Sequence, residues 1–80
     1  MPSSIRLEKN IRKLYKEEKY KEIIDLLTDE TLEKYNSAGL YYIRHIVYRK
    51  LSELEKDTEY SQKSELDYNK AVKVNSALSQ

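Results

Sequence analysis

Cysteine, glycine and proline are absent or rare in this sequence of 80 residues, which has no cysteine, one glycine (Gly39) and one proline (Pro2). Without cysteine, the chain forms no disulfide and no cysteine-based metal site. The tight turns of β-hairpins draw on glycine, Asn-Gly pairs and proline, so their scarcity disfavours a β-sheet. A glycine-rich phosphate-binding loop is also excluded, because such a loop needs several glycines.

Long apolar runs are missing as well. No stretch approaches the ~20 apolar residues that span a bilayer. Residues 1–20 also lack the apolar segment of a secretory signal peptide. The formal net charge of +1 provides no general attraction to nucleic acid or to membranes. The composition therefore predicts a soluble protein of the cytoplasm.

Charged residues are abundant and make up 36% of the chain, against roughly 25% in a typical globular domain. Many of them are lysine and glutamate, which together with leucine favour helices. A chain of this length has room for one domain. We therefore predict a single all-α domain over residues 1–80, with its apolar residues concentrated on a few helix faces.

Apolar residues recur at helical spacing along the chain. Leu7, Ile11 and Leu14 mark one helix face. The longest stripe comes later and comprises Leu40, Ile43, Val47, Leu51 and Leu54. These patterns predict four helices at about residues 5–18, 21–35, 38–52 and 57–75, of which the third is central. The helices form two antiparallel hairpins, residues 4–37 and 38–75, followed by a tail at residues 76–80.

Polar residues mark the expected helix ends. Ser4 caps the first helix, Asn36 stops the second, and Ser37 caps the third. Residues 28–31 are ambiguous: Thr28 or Asp29 caps a new helix there, or the segment is an exposed turn within one helix. The continuing apolar spacing favours one helix. Two starts remain open for the last helix, a capping box at residues 52–55 and a cap at Asp57.

Several segments resemble the tetratricopeptide repeat, a helical hairpin of about 34 residues. Residues 14–24 are similar to the first-helix end, turn and second-helix start of such a repeat, with Tyr20 at the aromatic position after the turn. In the second unit, residues 40–42, 48–52 and 67–75 resemble its aromatic start, its turn and its closing stretch. The chain departs from the pattern where Ile11 and His45 replace a small residue. The second unit is also about seven residues too long for the repeat period.

The resemblance implies a protein–protein interaction module, acting as an adaptor, scaffold or inhibitor. It implies that a partner segment docks on the concave side, formed by the first helix of each unit, and that this groove is basic and aromatic and suits an acidic peptide. About three repeats make a stable stack, so two leave an apolar end. An extra cap, a second copy of the chain in a homodimer, or a partner is able to cover that end. The implied partner-facing positions are Arg12, Tyr15 and Lys16 in the first unit and Tyr42, Ile46, Arg49 and Lys50 in the second.

No arrangement of residues points to catalysis. His45 is the only histidine, and neither a paired nucleophile nor further ligands spaced for a metal are evident. Tyr41, His45 and Tyr48 follow one helix face, which is interpreted as a packing face. The carboxylates are interpreted as exposed in lysine-rich surroundings, without the apolar environment that suits acid catalysis. We therefore expect no enzymatic activity, no cofactor and no metal site.

A basic stripe on the first helix leaves one alternative open. The stripe is interpreted mainly as a solvated face, and the alternative is a small self-associating helical regulator that contacts nucleic acid through it. An acidic stripe on the second helix is able to attract the basic one, within a chain or between copies. The basic stripe comprises Arg6, Lys9, Lys13 and Lys16, and the acidic stripe comprises Glu22, Asp25 and Asp29.

Overall fold

The computed structural model describes residues 4–75, and all regular secondary structure in this part of the chain is helical. The helices are Ile5–Lys16 (α1), Tyr20–Leu26 (α2), Asp29–Tyr35 (α3), Ala38–Glu55 (α4) and Thr58–Val74 (α5). The predicted all-α class is confirmed. The prediction of four helices is wrong, because the segment expected to form the second helix is divided into α2 and α3. The predicted tail at residues 76–80 lies outside the described residues.

The division between α2 and α3 lies at residues 27 and 28. Thr28 has an extended backbone (φ −73°, ψ 163°), and its Oγ1 accepts a hydrogen bond of 3.3 Å from the backbone N–H of Thr31. The carbonyl of Leu27 accepts a second hydrogen bond, of 3.0 Å, from Nη1 of Arg44. A threonine cap and a side chain reaching in from α4 therefore interrupt a segment whose apolar spacing alone predicts one helix.

Within residues 4–75, left-handed backbone conformations occur at three helix ends, in each case without glycine. They are found at Glu18 (φ 59°), Asn36 (φ 48°) and Lys56 (φ 52°). Asn36 ends α3 as predicted, and the Oγ of Ser37 accepts a hydrogen bond of 3.4 Å from the N–H of Leu40 at the start of α4. Glu18 lies in the turn after α1, which ends at Lys16 rather than at the predicted residue 18.

Of the two starts left open for the last helix, the cap at Asp57 is confirmed, because its side chain accepts a hydrogen bond of 2.9 Å from the N–H of Glu59. Residues 52–55, the alternative capping box, all lie within α4. The predicted cap at Ser4 is wrong. Ser4 precedes α1 but makes no cap bond with its side chain. Its hydroxyl donates a hydrogen bond of 3.1 Å to a carboxylate oxygen of Glu8. The Ser4 side chain therefore bonds to Glu8 and not to the backbone N–H groups of the first turn.

The core lies where α4 meets the other helices. α4 packs mainly against α5 and also against α2, and α2 in turn packs against α1. Leu54, at the end of the predicted apolar stripe, is 67% exposed, because it borders an open depression beside Tyr20 rather than a closed interface. Among the described residues, no helix is both long and apolar enough to cross a membrane. The side chains with the least exposure are Ile11, Ile23, Leu27, Leu32, Leu40, Val47 and Ala71.

Candidate partner-binding groove

A groove with an apolar floor lies between α1 and α4. It encloses about 430 Å³. It forms because α1 packs mainly against α2, and α4 mainly against α5, so that the facing sides of α1 and α4 stay apart. Six residues line it: Ile11, Arg12, Tyr15 and Lys16 from α1, and Ile43 and Ile46 from α4.

Three isoleucines form the floor of the groove. Ile11 is buried in the core, whereas Ile43 and Ile46 are half-buried and therefore keep part of their apolar surface open to the groove. Ile43 and Ile46 are three residues apart in α4 and thus lie on the same helix face. The floor offers a surface on which a large apolar side chain of a partner is able to bury itself.

Tyr15 forms one wall of the groove, and its orientation is fixed by a neighbouring ring. Tyr15 is half-buried, and its ring meets that of Tyr20 edge to face, with centroids 5.4 Å apart and an interplanar angle of 70°. Tyr20 is itself buried in the core at the start of α2. The edge-to-face contact, a favourable arrangement for aromatic pairs, holds the Tyr15 ring beside the isoleucine floor.

The α1 side of the groove carries two cations, Arg12 and Lys16. Both are exposed and are four residues apart, so they stand on the same face of α1 one turn from each other. Within residues 4–75, neither takes part in the ion pairs or side-chain hydrogen bonds of the structure. Their charges are therefore open to carboxylates from outside the chain.

The structure brings four of the seven predicted partner-facing residues into this groove: Arg12, Tyr15, Lys16 and Ile46. Arg49 and Lys50 do not line it, although they follow Ile46 by three and four residues and so continue its edge along α4. Arg49 is exposed and Lys50 is half-buried. Together with Arg12 and Lys16, they place cations on both helices that border the isoleucine floor.

Tyr42, the seventh predicted residue, lies on the α5 side of α4, away from the groove. It is 38% exposed, and its ring centroid lies 5.5 Å from that of His45 and 6.5 Å from that of Tyr68. His45 and Tyr68 are also in contact, with centroids 5.2 Å apart. These short distances mean that the three rings pack on one another and leave no space for a ligand between them.

His45 connects α4 to α5 through Ser64. Its Nδ1 lies 2.9 Å from the carbonyl oxygen of Ser64 and 2.7 Å from the Ser64 hydroxyl, which itself donates to the His45 carbonyl at 2.8 Å. Nδ1 of His45 thus meets both polar oxygen atoms of Ser64. Tyr41 and Tyr48, which share the predicted face with His45, are buried. Among the described residues, no group of three or more histidine or acidic side chains is placed to hold a metal ion.

An internal ion pair between Arg44 and Asp67 was missed by the sequence analysis. Asp67 is only 2% exposed, so the interpretation of all carboxylates as exposed is wrong. The helical spacing of α4 did indicate a buried charge, because Arg44 falls among Leu40, Val47 and Leu51 on the buried face of that helix. A charge at such a position requires a buried partner, although the sequence did not show which carboxylate provides it.

Comparison with known proteins assigns no family. No protein-family model, no curated protein and no solved structure matches the chain.

Proposed function

We propose that the chain is a protein–protein interaction module whose α1–α4 groove binds an acidic segment of a partner. One observation carries this proposal: the isoleucine floor is bordered by Arg12 and Lys16, two exposed cations without ion pairs within residues 4–75. The resemblance to tetratricopeptide repeats supports the same location, since that family binds partners along the first helix of each unit. We place this activity in the cytoplasm, in keeping with the cysteine-free composition.

The floor and the cations have different roles in this proposal. Burial of one large apolar side chain contributes about 1.5–3 kcal/mol, which is more than the ~0.2–1 kcal/mol of an exposed ion pair. Charges at the edge of an interface mainly guide the approach of the partner and select its sign. The expected partner segment therefore combines a large apolar residue with nearby aspartate or glutamate.

The chain acts by binding and not by catalysis in this proposal. The buried carboxylate of Asp67 has both of its oxygens engaged by Arg44, at 2.7 Å each. His45 has its Nδ1 engaged by Ser64 and packs against two tyrosine rings. The two groups best placed for proton transfer thus serve to connect helices.

The experiment that tests this function is a selection of displayed peptides on the full chain. We expect enriched peptides that carry acidic residues beside one or two large apolar residues. The Arg12→Glu/Lys16→Glu variant should bind them at least about tenfold more weakly, because attraction becomes repulsion. Lys9→Glu/Lys13→Glu is the matched control, since it changes the net charge equally at exposed positions of α1 that do not line the groove.

Two results of this selection would contradict the proposed function. Peptides without acidic residues, or peptides that bind both double variants with equal affinity, would show that the groove is not the binding surface.

A second candidate function remains for the N-terminal part of α1. Arg6 and Lys9 line a wide, open depression of about 980 Å³ together with Tyr35, an aromatic side chain that the sequence analysis did not place beside them. Cations beside an aromatic ring suit a single-stranded nucleic acid. Binding to single-stranded DNA or RNA that weakens steeply with rising salt would favour this function. No binding at low salt would exclude it.

A further inference from the structure

A surface on α2 of the same chain has the chemistry that the groove requires. Glu22, Asp25 and Leu26 are spaced three and four residues apart and therefore share one face of α2. We refer to these three residues as the acidic face. All three are exposed, and Leu26 is 37% exposed.

The carboxylates of the acidic face are open to a partner. Within residues 4–75, neither Glu22 nor Asp25 takes part in the ion pairs or side-chain hydrogen bonds of the structure. The face thus presents a leucine beside two unpaired carboxylates. The groove presents isoleucines beside two unpaired cations, Arg12 and Lys16.

We propose that the groove binds the acidic face of a second copy of this chain, with Leu26 on the isoleucine floor and Glu22 and Asp25 beside the groove cations. This proposal rests on the proposed function of the groove and names its partner. The formal net charge of +1 leaves two copies with little overall repulsion. The attraction then comes from the local charges and weakens as salt increases.

The two surfaces allow two kinds of assembly. The groove belongs to α1 and α4, the acidic face belongs to α2, and the two share no residue, so one copy offers both surfaces at once. Two copies that exchange both contacts form a two-fold dimer, whereas copies that use one contact each associate head-to-tail and continue into longer assemblies unless the rotation closes a ring. The mean mass is expected to rise with concentration in both cases, and it levels off at the dimer in the first.

Sedimentation velocity of the full chain over a wide concentration range tests this proposal. Two variants reverse one surface each: Arg12→Glu/Lys16→Glu changes the groove, and Glu22→Lys/Asp25→Lys changes the acidic face. Each variant alone brings like charges together, so self-association should weaken at least about tenfold. Lys9→Glu/Lys13→Glu serves as the control and should associate as the unmodified chain does.

Mixing the two reversed variants gives the decisive result. In an equimolar mixture, every groove meets a face of opposite charge, so association should return although neither variant associates alone. Recovery also shows that both variants are folded. A monomeric wild-type chain at all concentrations, association that survives in both reversed variants, or a mixture that stays monomeric would overturn the proposal.

The same variants separate this proposal from the function on which it rests. Glu22→Lys/Asp25→Lys leaves the groove unchanged, so the peptides selected on the wild-type chain should still bind it. If they bind while the wild-type chain remains monomeric, self-association is refuted and peptide binding by the groove stands. If peptides also fail to bind, both proposals fail.

Discussion

Arg44 and Asp67 form a two-point ion pair inside the protein, in which Nε and Nη2 of the arginine each donate to a different carboxylate oxygen at 2.7 Å. Nη1 of Arg44 donates to the carbonyl of Leu27 at 3.0 Å and pairs with Asp29 at 2.9 Å. Burial lowers the pKa of the Arg44 guanidinium, but hydrogen bonding and charge attraction from Asp67 outweigh it and raise the pKa above its usual value. One side chain of α4 thus holds α5 and the α2–α3 junction together.

Removing Arg44 alone should destabilise the protein strongly. Arg44→Met leaves the carboxylate of Asp67 buried without its partner, a change that costs about 3–5 kcal/mol. Small domains have only about 5–15 kcal/mol of stability in total, so the variant is expected to unfold at much lower urea concentration. Urea unfolding followed by circular dichroism measures the difference.

The double variant Arg44→Met/Asp67→Leu provides the control. It removes both charges, so no ion is left buried, and replacing a whole buried pair by apolar residues is often neutral or stabilising. We expect the double variant to be more stable than Arg44→Met. A double variant less stable than the single one would show that the pair contributes more than mutual neutralisation of two buried charges.

Stability should decrease in alkaline solution because of two buried tyrosines. Burial raises the pKa of Tyr48, while the charges of Arg44 and Lys63 oppose this shift. The pKa of Tyr41 is also raised, mainly by burial and to a smaller extent by the charge of Glu33. The folded state therefore keeps these protons at a pH where the unfolded chain has lost them. The resulting stabilisation is complete below about pH 10 and is lost as the pH rises through the folded-state pKa values.

Urea unfolding at about pH 9 and about pH 11 measures this loss. Tyr48→Phe should reduce the decrease, since the variant keeps the ring that stacks on Tyr60 at 5.9 Å and removes the ionising hydroxyl. An equal decrease in the variant and in the wild-type chain would contradict the assignment to Tyr48.

Glycine at two left-handed positions should stabilise the fold. Glu18 and Lys56 have φ angles of 59° and 52°, a conformation that costs residues with a Cβ about 1–2 kcal/mol. Glycine avoids this cost but loses about 0.5–1 kcal/mol through greater freedom in the unfolded chain. Glu18→Gly and Lys56→Gly are each expected to gain about 0.5–1 kcal/mol in urea unfolding. A loss of stability in both variants would contradict left-handed conformations at these turns.

The sequence was informative where local chemistry determines the structure. Asn36 and Ser37 predicted the break before α4 because both act on backbone groups within a few residues. The α2–α3 break was the less favoured of two alternatives, since apolar spacing does not show that Arg44, 17 residues along the chain from Leu27, occupies the Leu27 carbonyl there. Apolar spacing carries no information on such distant contacts.

The residues of the candidate groove could likewise be predicted from the sequence only in part. Arg12, Tyr15, Lys16 and Ile46 could be selected from their positions on two amphipathic helices, and the structure places them around one groove. Tyr42 could not be assigned to a side of α4 from spacing alone, because that helix is apolar over much of its circumference. Its contact with Tyr68 depends on how α5 packs, which the sequence did not determine.

The most direct test of partner binding is an NMR titration of the isoleucine methyl groups with a peptide selected on the wild-type chain. Ile11, Ile43 and Ile46 line the groove, whereas Ile23 is fully buried in α2 and does not line it. Binding in the groove predicts shifts of the first three methyl signals that saturate together, with Ile23 nearly unchanged. Saturating shifts elsewhere, with the three groove methyls unmoved, would contradict the assignment of the α1–α4 groove as the binding site.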